Sequence, residues 1–370
     1  MREGWTYKKL NEVCDKSSSN IVINKLDDNN GDYPLFGASG LVKNVDFYHQ
    51  DKPYIGIVKD GAGVGRVNTY PAYSSLVGTM QYIFPKEECL LNYVKYFLVK
   101  LDLSHCVSGA TIPHIYFKDY GKELIPVPPL STQLSIVSEL DKINELIRLK
   151  KEQLKDYDSL AQSIFYEMFG DPIENEKGWE VKKLSNNVQE MFLGPFGSAL
   201  KVDSYVDMKD AFCMVYEQKH AIQGRLDLDN HFINEEKYNS LRRFEVKGGD
   251  FIMSCRGTIG KLYKLPNDAP KGIIHPSLMK IRIKEDVYDS TYFKYMLVKI
   301  VANERTNGNC VQMAITAKEL GKKTLPLPPL PLQQTFAQRI ELIKKQKAEI
   351  QSTIADLETL LASRMQYWFD

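Results

Sequence analysis

The sequence predicts an α+β protein built on an internal repeat. Two similar globular units of mixed α and β structure are separated by two long helices, which pair as an antiparallel coiled coil about an approximate two-fold. Three observations predict this. A proline-rich lead-in at Ile125 is followed by a stretch, Leu130 to Phe169, that contains neither Gly nor Pro. The chain then repeats itself at Leu325–Asp370: Pro126, Pro128, Pro129, Leu130 and Gln133 recur as Pro326, Pro328, Pro329, Leu330 and Gln333, and no gap is needed from there to the C-terminus. Finally, both stretches carry apolar residues at alternating steps of four and three, the mark of a coiled-coil seam.

Taken in chain order, the repeat begins near the start. Gly4, Trp5, Lys8, Lys9 and Leu10 recur as Gly178, Trp179, Lys182, Lys183 and Leu184. The globular units read as short strands punctuated by Gly, Asn and Pro: PYIGIVKD and TMQYIF in the first, AFCMVYE, DFIMSCRG and MKIRI in the second. Helical spacing appears in LNYVKYFLVKL and STYFKYMLVKIV, which contain the echo KYFLVK and KYMLVK. Glycines follow in both units, Gly109 and Gly121 against Gly308 and Gly321, and GVGRV (Gly63–Val67) parallels TIGKL (Thr258–Leu262). The offset between echoes grows from 174 at Gly4/Gly178 to 200 at Pro126/Pro326, so the second unit is the longer by about 26 residues. Strand order is not derivable from the sequence.

The long helices are the clearest elements. Ile143, Ile147, Lys150, Leu154, Tyr157, Ala161, Ile164 and Met168 form one seam; Ile343, Lys347, Ile350, Ile354, Leu357, Leu361, Arg364 and Trp368 form the other. Ser131 or Thr132 is the expected N-cap behind the prolines. At 1.5 Å per residue, about 39 residues span roughly 58 Å. The second globular unit starts just after the first helix and ends where the second begins, so the helices are expected to run antiparallel. That places the N-terminus near the C-terminus and gives a dumb-bell. The expected boundaries are a first unit at 1–125, a spacer helix at 126–170, a second unit at 171–325 and a distal spacer helix at 326–370.

Composition bounds the function. A chain of 370 residues with 43% hydrophobic and 26% charged residues has material for two domains. It has no apolar run of membrane-spanning length, and MREGWTYKKLNEV lacks the apolar segment of a signal peptide. Cys14, Cys89, Cys106, Cys213, Cys255 and Cys310 form no CxxC pair, which fits reduced thiols in a cytoplasmic protein. A net charge of +1 neither requires nor excludes a polyanion partner. Catalytic signatures are missing: there is no amino-methyltransferase NPP(Y/F), no GxxxxGK(S/T) and no HExxH. His49, His105, His114, His220, His231 and His275 show no metal-ligand spacing, so no metal is expected. GAGVG (Gly61–Gly65) lacks dinucleotide-binding spacing and reads as a tight turn that brings backbone close to a partner.

Two similar heads on a helical spacer make a ruler for two sites, and equivalent faces of B-DNA recur every 34–36 Å. Here the residues carry a resemblance. The proline motifs Pro126-Val127-Pro128-Pro129-Leu130 with Gln133, and Pro326-Leu327-Pro328-Pro329-Leu330 with Gln333, resemble the P-L-P-P-L-x-x-Q motif of the specificity subunits of type I restriction–modification systems. The pattern G-W-x-x-x-x-L at Gly4–Leu10 and Gly178–Leu184 is similar to the start of that family's target-recognition domains. YPLFGASG (Tyr33–Gly40), GATIPHIYFKD (Gly109–Asp119), GPFGSALK (Gly194–Lys201) and RGTIGK (Arg256–Lys261) match further. The resemblance implies a non-catalytic subunit that reads a bipartite, asymmetric target in double-stranded DNA, one half per recognition domain. It also implies two modification (methyltransferase) subunits and added restriction subunits as partners. S-adenosylmethionine and ATP would be used by those partners, with no cofactor bound by this chain.

Cationic and amide residues in Gly-rich loops are the candidates for DNA contact: Lys43, Lys59 and Arg66 in the first unit, and Lys201, Gln218, Lys219, His220, Arg225, Arg256, Lys261 and His275 in the second. Arg can grip guanine, Gln can pair with adenine, and Lys more often meets phosphate. Arg66 and Lys261, each after a glycine, stand at matching positions, which favours a shared duty toward the backbone. For any one of these residues the simpler alternative is a solvated surface charge. Off the seams, Leu140, Leu146, Leu149, Leu160 and Phe165, with Ile340, Leu342, Leu360 and Met365, widen the apolar stripe beyond what a two-helix seam hides. They either dock the modification subunits or pack beneath the heads. The rival reading is a coiled-coil scaffold whose heads bind proteins; a stand-alone enzyme is disfavoured by the missing motifs.

Overall fold

The computed structural model describes residues 2, 4–109, 111–306 and 314–370, the side chains of 304–306 excepted. Gly308 and Cys310 lie outside the described residues. The chain divides into two compact units: unit 1 comprises 1–153 and 349–370, and unit 2 comprises 154–348. Each unit therefore takes part of both long helices.

Unit 1 is built on a four-stranded antiparallel sheet in the order Cys14–Ser18, Met80–Pro85, Tyr54–Val58, Val67–Tyr70. Unit 2 repeats it with Val188–Leu193, Leu278–Ile283, Phe251–Ser254 and Leu262–Lys264. The stretches read as strands from their apolar runs are strands in both. A second sheet follows the same rule. In unit 1 it runs Gly40–Val45, Tyr33–Gly37, Ser75–Leu76; in unit 2 it runs His231–Ile233, Cys213–Tyr216, Gly272–Ile274, with Glu245–Val246 added. In each the central strand pairs one neighbour antiparallel and the other parallel. The G-W motif leads into a strand that closes each unit. Thr6–Lys9 and Val181–Lys183 pair antiparallel with the proline-rich lead-ins, Leu124–Val127 and Thr324–Pro326.

The extra length of unit 2 falls mainly in two places. A tight turn at Ala38 and Ser39 joins two strands of unit 1, whereas unit 2 inserts Glu217–Asn230 there, carrying the helix Gln218–Gln223. A second insertion holds the helix Glu235–Leu241.

The helices predicted at LNYVKYFLVKL and STYFKYMLVKIV are Leu91–Leu101 and Ser290–Thr306. Their N-terminal ends are tied to the long helices by the motif glutamines. Gln133, fully buried, accepts from the Leu90 N–H at 2.9 Å and donates to the carbonyls of Glu88 (2.8 Å) and Pro128 (3.0 Å). Gln333, also fully buried, accepts from Asp289 N–H at 2.9 Å and donates to Val287 (3.1 Å) and Pro328 (2.9 Å). Tyr93 and Tyr292 donate to the carbonyls of Pro126 and Pro326 at 2.9 and 3.0 Å. The hinge motif is thus an internal lock, because a buried amide is stable only when its donors and acceptors are all met.

The long helices are Leu130–Phe169 and Leu330–Phe369. The N-cap expectation is corrected: Ser131 and Thr132 lie inside the first turn, and the Pro129 carbonyl accepts from Thr132 and Gln133. No seam residue is exposed on either helix. Within unit 1, Glu139 accepts from Arg364 and from the Trp368 indole (3.0 Å), and Lys151 meets Glu358 at 2.7 Å. Within unit 2, Lys347 bonds Asp158, and Phe165 packs on Phe336 with ring centroids 5.6 Å apart. Numbering rises on one helix as it falls on the other, so the pairing is antiparallel. The chain ends meet in unit 1, where the Arg2 guanidinium lies over the rings of Trp5, Tyr367 and Trp368.

Leu140 and Met365 are buried in the core of unit 1, and Phe165 and Ile340 in that of unit 2, so these off-seam residues pack beneath the heads. Leu146, Leu149, Leu160, Leu342 and Leu360 are exposed. No helix among the described residues is long and apolar enough to cross a membrane.

Candidate nucleic-acid interface

The two units share one loop, and hydrogen bonds define its register. In unit 1, Gly65 N–H donates to the Val58 carbonyl (2.8 Å) and Val58 N–H to that of Arg66 (3.0 Å). In unit 2, Gly260 donates to Ser254 (2.8 Å) and Ser254 to Lys261 (2.9 Å). Gly65 and Gly260 have φ of +86° and +84°, a left-handed conformation open to glycine and strained for L side chains, so both loops need glycine there. A second tether is also repeated: Ile115 N–H donates to the Lys59 carbonyl and Ile315 N–H to that of Cys255, both at 2.9 Å. Arg66 and Lys261 are therefore structural equivalents, as the sequence suggests. So are Asp60 and Arg256, which bridge to His114 and Ala314 in the same manner.

In unit 1, Arg66 donates to the Ala38 carbonyl at 2.8 Å, joining the loop to the tight turn of the second sheet. Lys59 lies 3.6 Å from Asp60. Lys43 is apart from them; its ammonium donates to the carbonyls of Leu26 (2.7 Å) and Asp27 (3.4 Å) and secures that segment.

Unit 2 replaces the tight turn with its insertion and ties it to the same loop. Gln218 donates to the Arg256 carbonyl at 2.7 Å. Behind it, Glu217 receives Lys219 at 2.7 Å and His231 at 2.9 Å, and His231 stacks on Tyr205 with centroids 4.5 Å apart. Burial works against the Glu217 charge, but hydrogen bonds from Lys219 and His231 outweigh it and hold the carboxyl below its ordinary range. Burial pushes the His275 imidazole down, the Glu217 charge resists, and Arg256 and His231 add to the lowering. His275 shares a hydrogen bond of 2.8 Å with Ser277.

His220 leaves the set of contact candidates. It is fully buried, with one ring nitrogen taking the Glu217 N–H at 2.8 Å and the other 2.7 Å from Asn230 Oδ1. It holds the insertion in place. Arg225 is exposed beside Gln223 and Asp227. Lys201, Arg256 and Lys261 are exposed, and their side chains have no hydrogen-bond or ion-pair partner among the described residues. The structure thus brings Gln218, Lys219, Arg256 and His275 together in unit 2, and Lys59 with Arg66 in unit 1.

Sequence reasoning passed over Glu217, Tyr205 and His231, whose roles arise where Cys213–Tyr216 pairs with His231–Ile233 across the insertion and Val206 bridges to Phe232. It also passed over Phe196, 88% exposed, although its setting between Pro195 and Gly197 marks a rigid projecting turn. Among the described residues no group of His, Cys, Asp and Glu is placed to hold a metal ion. The free guanidinium of Arg256 and free ammonium groups of Lys201 and Lys261, on loops fixed from behind, suit the recognition of anions and base edges.

The family model described as type I restriction modification DNA specificity domain matches residues 2–156 and 216–358. The type I restriction enzyme MjaIX specificity subunit of Methanocaldococcus jannaschii is 23% identical over 291 residues, 69% of this chain and 62% of that protein. The chain thus spans less than two-thirds of the length of the first curated relatives it matches. A solved structure from work on complex assembly and conformational transition of the type I R-M system aligns with a TM-score of 0.65 at 18% identity, covering 100% of this chain and 98% of that one. The S subunit of a type I restriction-modification system from M. genitalium aligns at 0.57 and 14%, covering 99% and 96%. These likenesses are of fold.

Proposed function

We infer function from one premise: the chain belongs to the type I restriction modification DNA specificity family. We propose that it is the DNA sequence-specificity subunit of a type I restriction–modification complex and performs no catalysis itself. Recognition domains at 1–125 and 171–325 each read one half of a bipartite, asymmetric target in double-stranded DNA. The helices at 126–170 and 326–370 set the gap between the halves and dock two modification subunits, to which restriction subunits are added. Methyl transfer from S-adenosylmethionine and ATP-driven steps belong to those partners, and the complex works in the cytoplasm.

The observation that carries this reading is that one hydrogen-bonded scaffold is used twice with different side chains at its tip. Asp60 in unit 1 corresponds to Arg256 in unit 2, and a tight turn corresponds to an insertion of 14 residues, Glu217–Asn230. Such a pair suits two unlike half-sites. The exposed leucines, Leu146 and Leu149 in unit 1 and Leu160 and Leu342 in unit 2, support docking, since each is 45% or more exposed on an otherwise polar helix face.

The test is DNA binding by the chain assembled with its modification subunits. The expected affinity depends on sequence and falls steeply with salt, as phosphate contacts require. Binding indifferent to sequence, with the heads capturing protein instead, would leave the scaffold reading in its place.

A further inference from the structure

We propose that Phe196 is a wedge that enters the base stack of the DNA held by unit 2. The proposal rests on the reading that unit 2 binds DNA and goes beyond it by naming how the duplex is distorted.

Phe196 is held outward by its surroundings. Strand Val188–Leu193 ends at Gly194, whose N–H donates to the Leu278 carbonyl at 2.9 Å. A Cβ on Gly194 would lie 2.3 Å from the His275 carbonyl oxygen, so only glycine lets the chain lie flush against His275. Pro195 stiffens the next step, and Phe196 follows at 88% exposure with no ring or cation contact among the described residues. The chain then crosses unit 2 in short turns at Gly197–Ala199, Val202–Ser204 and Met208–Asp210. Leu200 is buried and Tyr205 stacks on His231, fixing the segment from beneath, while Val202 and Met208 stand 79% and 73% exposed. Val206 N–H donates to the Phe232 carbonyl at 3.0 Å and Phe212 N–H to that of Ile233 at 2.9 Å, so the segment is anchored along that strand.

The chemistry of this surface selects its occupant. Along the segment exposed Lys201 and Lys209 are offset by exposed Asp203, Asp207 and Asp210, whereas at its start Phe196 follows closely on Gly194, which lies against His275, beside unpaired Arg256. A protein interface excludes charge from its buried core, whereas the apolar side chains here stand between charged ones. Duplex DNA instead offers anions outside and stacked apolar faces within, and side chains such as Phe and Met serve as wedges that unstack a step and kink the helix. Unit 1 differs at the matching place. After Cys14–Ser18, Ile21 is buried and its carbonyl takes the Gly78 N–H, leaving only Val22 and Ile23, 50% and 43% exposed. The wedge therefore belongs to unit 2 alone.

The test uses the full chain with its modification subunits and target duplexes carrying 2-aminopurine at successive positions of both half-sites. Apart from any base extruded for methylation in either half-site, fluorescence is expected to rise severalfold at one step of the unit 2 half-site and at none in the unit 1 half-site. Phe196→Ala should abolish that rise and weaken binding by about tenfold. Phe196→Trp should retain both, and an abasic site at the same step should restore Phe196→Ala binding. Sequence-dependent binding by Phe196→Ala with the wild-type fluorescence profile overturns the wedge and leaves the DNA reading intact. Loss of binding by Phe196→Ala to phosphatidylserine vesicles, with DNA binding unchanged, also overturns it. Failure of the wild-type complex to bind DNA by sequence overturns the underlying reading as well.

Discussion

Unit 1 and unit 2 fill the same place in the same sheet with opposite chemistry. In unit 1 the strand Met80–Pro85 presents Tyr82 and Phe84. Tyr82 meets the Tyr54 ring at 4.9 Å, and its hydroxyl accepts from Leu76 N–H at 2.8 Å. Gly56, opposite Tyr82, is required because a Cβ there would lie 2.5 Å from the Tyr70 ring. In unit 2 the matching strand Leu278–Ile283 presents Lys280 and Arg282. Lys280, 4% exposed, donates to Glu190 at 2.6 Å and to the Glu245 carbonyl at 3.0 Å. Arg282 makes a two-pronged pair of 2.6 and 2.8 Å with Asp250, itself 1% exposed. The repeat is kept in backbone hydrogen bonds and in the glutamine locks, while interior and tip are free to diverge. That freedom is what the proposed reading of two unlike half-sites requires.

The difference can be broken most forcefully at Asp250. Asp250→Ala leaves Arg282 and Lys280 without their shared carboxylate, and removing one partner of a buried ion pair costs about 3–5 kcal/mol. Hydrogen exchange resolved by unit, in rising urea, should show unit 2 opening early and unit 1 unchanged. The counterpart in unit 1, Tyr82→Phe, strands the Leu76 N–H and removes the hydroxyl's bond with Ser19, and should cost about 1–3 kcal/mol. Equal losses in the two units would contradict the contrast between ionic and aromatic layers.

Gln133→Leu and Gln333→Leu sharpen the likeness. Each leaves one N–H and two carbonyls unmet, so each should destabilise its own unit by about 1–3 kcal/mol, and by the same amount within error. Markedly unequal effects would show that the locks are equivalent in form only.

The smallest expected effect is on pH dependence. His275 has a folded pKa below its ordinary 6.5, so its contribution is complete above 6.5 and declines as pH falls below it. Glu217 and Glu190 are held below the ordinary 4.5, the first by Lys219 and His231 against burial, the second chiefly by the Lys280 hydrogen bond. Their contributions are present above 4.5 and are lost as pH falls through their lowered values. The opening energy of unit 2 should thus decline from just below 6.5, with a steeper limb below 4.5. His275→Asn should flatten the first part and Glu217→Gln the second; unchanged slopes in these variants would refute the assignment.

Much of the fold was legible because its signals are local or periodic. The 4,3 seam shows the two helices, and the proline motifs mark their beginnings. Side chains off the seam were ambiguous because periodicity gives a face but not its partner: Leu140 and Phe165 enter the heads, whereas Leu146 and Leu160 meet solvent. Candidate interface residues were less legible, since their placement depends on strand order. His220 looks like a loop cation beside Lys219, yet pairing of Cys213–Tyr216 with His231–Ile233 brings Asn230 to its ring and buries it. The matching of Lys261 with Arg66 was legible because the Gly-rich loop announces itself in both repeats.

The central claim is that the helices measure while the heads read. The direct measurement is single-molecule methylation mapping of DNA from cells expressing the modification subunit with this chain, either intact or lacking one heptad from each long helix. The predicted result is two unchanged half-sites separated by a shorter gap. An unaltered gap, or altered half-sites, would contradict it.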